Sequence, residues 1–230
     1  MSVATISRPR LHHSGDGLVL VEFASTIAPD VNRRAVALAA AIGEARVPGV
    51  RDVVPAYASV GVHVDPLRFD QAALDAVVSH AWDTAAEAAP AARVVEIPVC
   101  YGGAFGPDLA EVAAFAGCSE DDVIARHAAG RYRVYMLGFL PGFAYLGSLD
   151  DTIAMPRRST PRTTVPAGSV GIAGRQTGVY PCDSPGGWRL IGRTPRAMFD
   201  LARPEPALLA PGDVVRFVPT PHDRWTGRPA

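Results

Sequence analysis

Arginines crowd one stretch of this 230-residue chain. Arg157, Arg158, Arg162, Arg175 and Arg193 are interleaved there with glycine-rich turns. A guanidinium is a planar fork of donors that stays charged near neutral pH and matches the oxygens of a carboxylate or phosphate. Loops on a rigid scaffold commonly display such groups. The set points to at least one anion contact, while any single arginine also reads as solvated or locally paired. Gln176 and Tyr180 stand beside Arg175 in RQTGVY. A Gln amide can match both the C=O and the N–H of a lactam or urea-like group. Strand hydrogen bonding and packing are the alternative roles of this pair. His127 falls near the end of a helical pattern over 119–129. It reads either as an imidazolium answering the helix dipole or as a group for proton transfer or ligand contact.

Other residue types carry less. Gly168, Gly171, Gly174 and Gly178 match neither GxGxxG before a helix nor GxxxxGK[ST], so they read as turns and close strand approaches. Ser184 in DSPGG is not in a GxSxG elbow and reads as a turn residue. His12, His13, His63 and His80 lack metal-ligand spacing, so no metal is expected. Cys100, Cys118 and Cys182 form no CxxC pair, and Cys100 in VCYGG reads as a buried strand residue. So sparse a cysteine set suits a reducing, cytoplasmic location.

All 22 basic residues are arginine, and lysine is absent. An arginine cannot form a Schiff base or act as a deprotonated amine. The chain therefore has no Walker-A lysine, no pyridoxal-phosphate lysine, no biotin attachment site and no lysine for an amidase-signature triad. The net charge of −1 gives no reason to expect a nucleic-acid partner. The longest apolar stretch, AVALAAAIG at 35–43, is far short of a membrane span, and MSVATISRPR at the start lacks the apolar core of a signal peptide.

The elements that must position these residues follow from periodicity. Arg8–His12 and Leu18–Phe23 read as a hairpin around Gly15-Asp16-Gly17. A helix follows Asp30, with Val31, Leu38, Ile42 and Ala45 on one face, and Pro48-Gly49 ends it. Val50–Pro55 and Ala58–Val64 are extended, and Asp70 caps a second helix through Leu74, Val77, Val78 and Ala81. DTAAEAAPAA at 83–92 reads as the helix end and a linker. Beyond it come a strand at Arg93–Val99, helices at Asp108–Ala116 and from Ser119 with Asp122 completing a capping box, a strand at Arg131–Phe139, and a closing strand at Asp213–Val218. PHDRWTGRPA at the C-terminus reads as frayed. Between residues 138 and 195 lie ten glycines and seven prolines, a density that excludes a long helix. Phe139, Phe143, Tyr145, Tyr180 and Trp188 are interleaved there, so the stretch is compact β structure rather than linker. Within it, LPGFAYLG at 140–147 is either a partner surface or core.

The runs LGFLPGFAYLGSLD at 137–150, PRRSTPRTTVPAGSVGIAGRQTGVYP at 156–181 and SPGGWRLIGRTP at 184–195 resemble one family, as do IPVCYGGAFGPDLAEVA at 97–113 and GDGLVLVEF at 15–23. That family is the B subunit of the prokaryotic 5-oxoprolinase, historically allophanate hydrolase subunit 1. It includes an inhibitor of a sporulation histidine kinase, and related sequence occurs in the carboxyltransferase region of urea carboxylase (subdomains C and D). The resemblance implies an α+β chain: a small N-terminal α/β domain over 1–90 and a cyclophilin-like β-barrel domain over 91–230. It implies a component of a complex with 5-oxoprolinase subunits A and C that couples ATP hydrolysis to opening the lactam of 5-oxo-L-proline to L-glutamate, with ATP used by the complex rather than held by this chain alone. A kinase inhibitor without catalysis, or an allophanate- or urea-related carboxyltransferase or hydrolase component, are the alternative activities. On this reading His127 and Tyr180 are the catalytic candidates, and Arg157, Arg162, Gln176 and Arg193 bind substrate. Arg162, Gln176, Tyr180 and Arg193 are expected to line one concave site, and Phe143 and Tyr145 to contact the partner subunit.

Overall fold

The computed structural model of the chain describes residues 7–84 and 92–225. Most of the linker expected at 83–92 lies outside the described residues. The chain divides into two compact units, Met1–Ala92 and Arg93–Ala230. Among the described residues, no helix is long and apolar enough to cross a membrane.

In the first unit, β1 (Arg10–His13), β2 (Leu18–Glu22), β3 (Val50–Pro55) and β4 (Ser59–Val64) form an antiparallel sheet of order β1-β2-β4-β3. Two helices, α1 (Pro29–Ala45) and α2 (Gln71–Thr84), pack on it. Pro29 opens α1, where its missing N–H costs nothing, and Val31, Ala35, Leu38 and Ile42 form the buried stripe. Asp70 caps α2 as expected, accepting from the N–H of Ala73 at 3.0 Å. Alternate strand residues Val19, Val21, Val60, Val62 and Val64 meet those helices in one core.

The second unit contains a closed barrel of seven strands, in accord with the expected barrel domain. Its strands are β5 (Val94–Tyr101), β6 (Tyr132–Leu137), β7 (Ala144–Gly147), β9 (Ser169–Ala173), β10 (Gln176–Val179), β12 (Arg189–Arg193) and β13 (Val214–Pro219). Around the wall the order is β10-β7-β6-β13-β5-β12-β9, closed by the β9–β10 hairpin. Only β13 and β5 run parallel; the other pairings are antiparallel. Ile97, Val99, Val134, Leu146, Val170, Ile172, Val179, Ile191, Val215 and Phe217 fill the interior. Helices α3 (Leu109–Ala116) and α4 (Glu120–Ala129) add Leu109, Val112 and Val123 to it. The capping box read from Ser119 and Asp122 is present at the start of α4.

A two-stranded ribbon, β8 (Arg162–Val165) with β11 (Ser184–Gly186), stands apart from the barrel. Phe143, Val165, Ala173, Tyr180, Trp188 and Leu190 form a separate cluster that draws on both ribbon and barrel strands. Strand alternation explains the separation. Along β10, Thr177 and Val179 face the barrel interior, so Gly178 and then Tyr180 face outward. Gly178 is closely covered: a Cβ there would lie 3.1 Å from the Ala144 carbonyl oxygen and 3.2 Å from both the Phe143 and Trp188 rings, so a side chain would require these neighbours to shift by a few tenths of an ångström.

The C-terminal stretch departs from the frayed end expected of it, at least as far as residue 225. His222–Arg224 form a 3-10 turn, and the ring of His222 bonds the Tyr101 carbonyl oxygen at 2.7 Å. Trp225 packs against Phe105 in a tilted arrangement with ring centroids 4.5 Å apart. Aromatic contacts and a hydrogen bond hold a segment whose composition alone reads as a polar tail.

Candidate functional site

Asp108 organises the arginine-rich face of the second unit. It sits at the N-cap position of α3, yet its side chain makes no capping bond. The carboxylate turns instead toward the loop before β8. Oδ2 accepts from Arg162 Nη1 at 2.9 Å and from the Leu190 backbone N–H at 2.7 Å. Oδ1 accepts from Arg162 Nη2 at 2.7 Å and from Arg158 Nη1 at 3.3 Å. Four accepted bonds saturate a carboxylate. Asp108 is 3% exposed and so has no free lone pair with which to take a substrate proton. Its chemistry is to hold two guanidiniums in fixed geometry, one of them through a bidentate fork.

The loop carrying these arginines lies along the 186–188 backbone. The Arg158 N–H donates to the Gly187 carbonyl oxygen at 2.8 Å, and Arg162 pairs with Gly186 across the ribbon. The Arg157 guanidinium lies 5.9 Å from the centre of the Trp188 ring, in the range of a cation–π contact. Tyr180 packs beneath: a Cβ on Gly186 would fall 2.4 Å from its phenol oxygen, so that oxygen lies against the glycine. Burial raises the Tyr180 pKa, against a hydrogen bond from the Trp188 backbone and the nearby charges of Arg157 and Arg162. The phenol is therefore neutral at physiological pH, a donor rather than a base.

The expected single site for Arg162, Gln176, Tyr180 and Arg193 does not form as a set of four. Arg162 and Tyr180 come together beside Arg157. Gln176 pairs with Ala173 at the opposite end of β10, roughly 13 Å along the strand from Tyr180 at ~3.3 Å per residue. Arg193 is 8% exposed, donates from Nε to the Ala167 carbonyl oxygen at 2.8 Å and lies 5.6 Å from the centre of the Trp225 ring. Its fork is engaged with the chain itself. Arg175 reaches Asp151 at 3.2 Å, a pair exposed on both sides.

His127 departs from both of its readings. It is fully buried inside the second unit, and burial lowers its pKa to about 3, so it is neutral and cannot answer the helix dipole as a cation. Thr177 Oγ1 donates to the Gly171 carbonyl oxygen at 3.0 Å, which leaves its lone pair for His127 Nε2 at 2.9 Å. The Tyr101 hydroxyl then donates to Nδ1 at 2.7 Å. Every polar atom of the ring is satisfied and none faces solvent, so the geometry is that of a core brace.

Phe143 is 2% exposed and belongs to the cluster around Trp188, while Tyr145 is half-buried at its edge. The exposed aromatic of that loop is Phe139, 61% exposed at φ +67°. A negative charge at Phe143 would be buried and should cost more than about 3 kcal/mol. Asp tolerates a left-handed backbone, so Phe139→Asp should leave stability within about 0.5 kcal/mol. Thermal melts of the two variants check this; equal losses would contradict the assignment of Phe143 to the core.

Sequence reasoning missed Asp108, because an Asp opening a helix reads as its cap. The one signal pointing to it is the density of arginine around a single turn, where Arg157, Arg158 and Arg162 fall within six residues and a nearby carboxylate would relieve their mutual repulsion.

Comparison with known proteins places this architecture. The chain is 45% identical over 223 residues to the B subunit of 5-oxoprolinase from Bacillus subtilis (strain 168), covering 92% of each chain. It is 45% identical over 217 residues to the B subunit of 5-oxoprolinase from Escherichia coli O157:H7, covering 93% of this chain and 97% of that one. Its fold matches the crystal structure of TTHA0988 with a TM-score of 0.79 and 42% identity, over 88% of this chain but only 40% of that longer one. The model of the carboxyltransferase domain, subdomains C and D, matches residues 9–209, and the chain belongs to that family.

Proposed function

We propose that this chain is the B subunit of a 5-oxoprolinase, acting in a complex with subunits A and C that uses ATP to open 5-oxo-L-proline to L-glutamate. The observation that carries the reading is 45% identity to proteins of that name over more than nine-tenths of both chains. An unactivated lactam is a poor electrophile. Transfer of a phosphoryl group to its oxygen makes the ring carbon electrophilic, so that water can add to it and the ring C–N bond can break as the nitrogen takes up a proton, leaving an acyl phosphate. A second water then adds to that carbonyl and phosphate departs.

Two further observations support a composite enzyme. The absence of lysine removes the usual phosphate-loop chemistry from this chain. The same fold occupies about two-fifths of TTHA0988, so in that protein it is joined to a longer polypeptide. The purified chain alone should show no 5-oxoproline-dependent ATPase activity, and activity should appear when subunits A and C are added. Turnover by the chain alone would overturn this division of labour. If the 139–145 loop meets the C subunit, Phe139→Asp should weaken co-purification at least tenfold while the fold is kept; unchanged capture would move the interface elsewhere.

A further inference from the structure

Two guanidiniums meet at the Asp108 carboxylate, and a third lies on the Trp188 ring, near enough that Arg157 and Arg162 both act on Tyr180. Arg158 and Arg162 share Asp108, while Arg157, among the described residues, has the Trp188 ring and no carboxylate. Two positive charges are left uncompensated. The Arg158 Nε–H is buried with no acceptor in reach among the described residues, a state that costs about 1–3 kcal/mol unless something fills it. Arg162 commits one hydrogen of each terminal nitrogen to Asp108, so a second hydrogen on each is still available. Arg158 and Arg162 are fixed by Asp108 before any ligand arrives, so little side-chain entropy is lost on binding.

From this arrangement we infer that Arg157, Arg158 and Arg162 form a binding site for a dianionic tetrahedral oxyanion of the phosphate class. A monoanionic carboxylate would leave one positive charge unmatched, and its two oxygens could not reach three forks. A phosphoryl group has three terminal oxygens and two charges. The site rests on the reading of the chain as a 5-oxoprolinase component and deepens it: the group would be the phosphoryl of the activated lactam or the phosphate released from it. Asp108 is then a positioning residue that aims the forks, not a catalytic one.

Inorganic phosphate and 5-oxoproline are the probes, titrated calorimetrically into the full chain at constant ionic strength. Phosphate should bind saturably at pH 8 and more weakly at pH 6, where it takes up a second proton. Arg157→Ala and Arg158→Gln should each weaken it at least tenfold. Both leave the Arg162–Asp108 fork intact, so both should still melt cooperatively: Arg157→Ala at the parent temperature, and Arg158→Gln, which gives up the 3.3 Å bond to Asp108, a few degrees below it. Arg216→Ala, which removes an exposed pair with Glu96, should bind phosphate like the parent chain. Absence of saturable phosphate binding, both in the chain and in its complex with subunits A and C, would overturn the site. So would equal binding by folded Arg157 and Arg158 variants. Binding of 5-oxoproline without phosphate at these residues would overturn the phosphate assignment. A complex that lacks 5-oxoproline-dependent ATPase activity while the chain still binds phosphate here would defeat the functional reading and leave the site standing.

Discussion

Asp108→Ala should destabilise the second unit by about 3 kcal/mol, a drop of roughly 10 °C in its melting temperature. The carboxylate is almost fully buried and accepts four hydrogen bonds, including one from the Leu190 backbone. Its removal leaves two guanidiniums facing each other and a buried N–H unpaired. Arg158 and Arg162 keep 32% and 24% side-chain exposure, so water can recover part of their solvation, and the loss stays at the low end of the range for broken buried pairs. Removing both partners should cost less than removing one: Asp108→Leu with Arg162→Leu should be more stable than Asp108→Leu alone. For the same reason Arg162→Ala should lower the melting temperature as well as the activity of the assembled complex. An arginine reaching a ligand from an open surface could be lost without thermal cost. If Asp108→Ala melted like the parent chain, the carboxylate would not be the organiser of this face.

His127→Ala should cost about 3–5 kcal/mol, since it opens a cavity and strips hydrogen-bond partners from Tyr101 and Thr177 inside the second unit. The same residue gives stability a pH dependence of definite sign. Burial holds the folded His127 near pKa 3, against about 6.5 in the unfolded chain. Between those values the unfolded chain binds a proton that the folded chain refuses. The contribution is therefore complete above about pH 6.5 and is lost as pH falls toward 3, at ~1.4 kcal/mol per pH unit. Between pH 7.5 and 5.0 the parent chain should lose about 2 kcal/mol more than His127→Gln, in which no imidazole titrates. Denaturant midpoints at the two pH values measure the difference. Parallel losses in both proteins would show that His127 is not the neutral core group described above.

The elements of both units were legible because they are local. The α1 stripe of Val31, Leu38 and Ile42 repeats at helical spacing, Asp70 and Ser119 cap within three residues, and the β-branched runs alternate. Such patterns record which face of an element must be buried, and that requirement is written in neighbouring residues. The candidate site is not local. Asp108 meets Arg158 and Arg162 from 50 and 54 residues away, and Leu190 from 82. Gln176 and Tyr180 are close in sequence, yet the extended backbone sets them apart along a strand.

Residue types alone set the chemistry available to this protein. A chain with no lysine has neither a phosphate-loop amine nor a Schiff base, and its cations are all guanidiniums, charged at any physiological pH. The family, the two-part α+β order and the turn-dense arginine segment were also readable at that level, since each depends on residue type and short spacing. Which of those groups are free to act was settled by folding. Barrel closure enclosed His127 and made it neutral, ribbon packing buried Phe143, and the turn before α3 aimed Asp108 at the arginines. Burial and long-range pairing set protonation and exposure, and both depend on what the rest of the chain places around a residue.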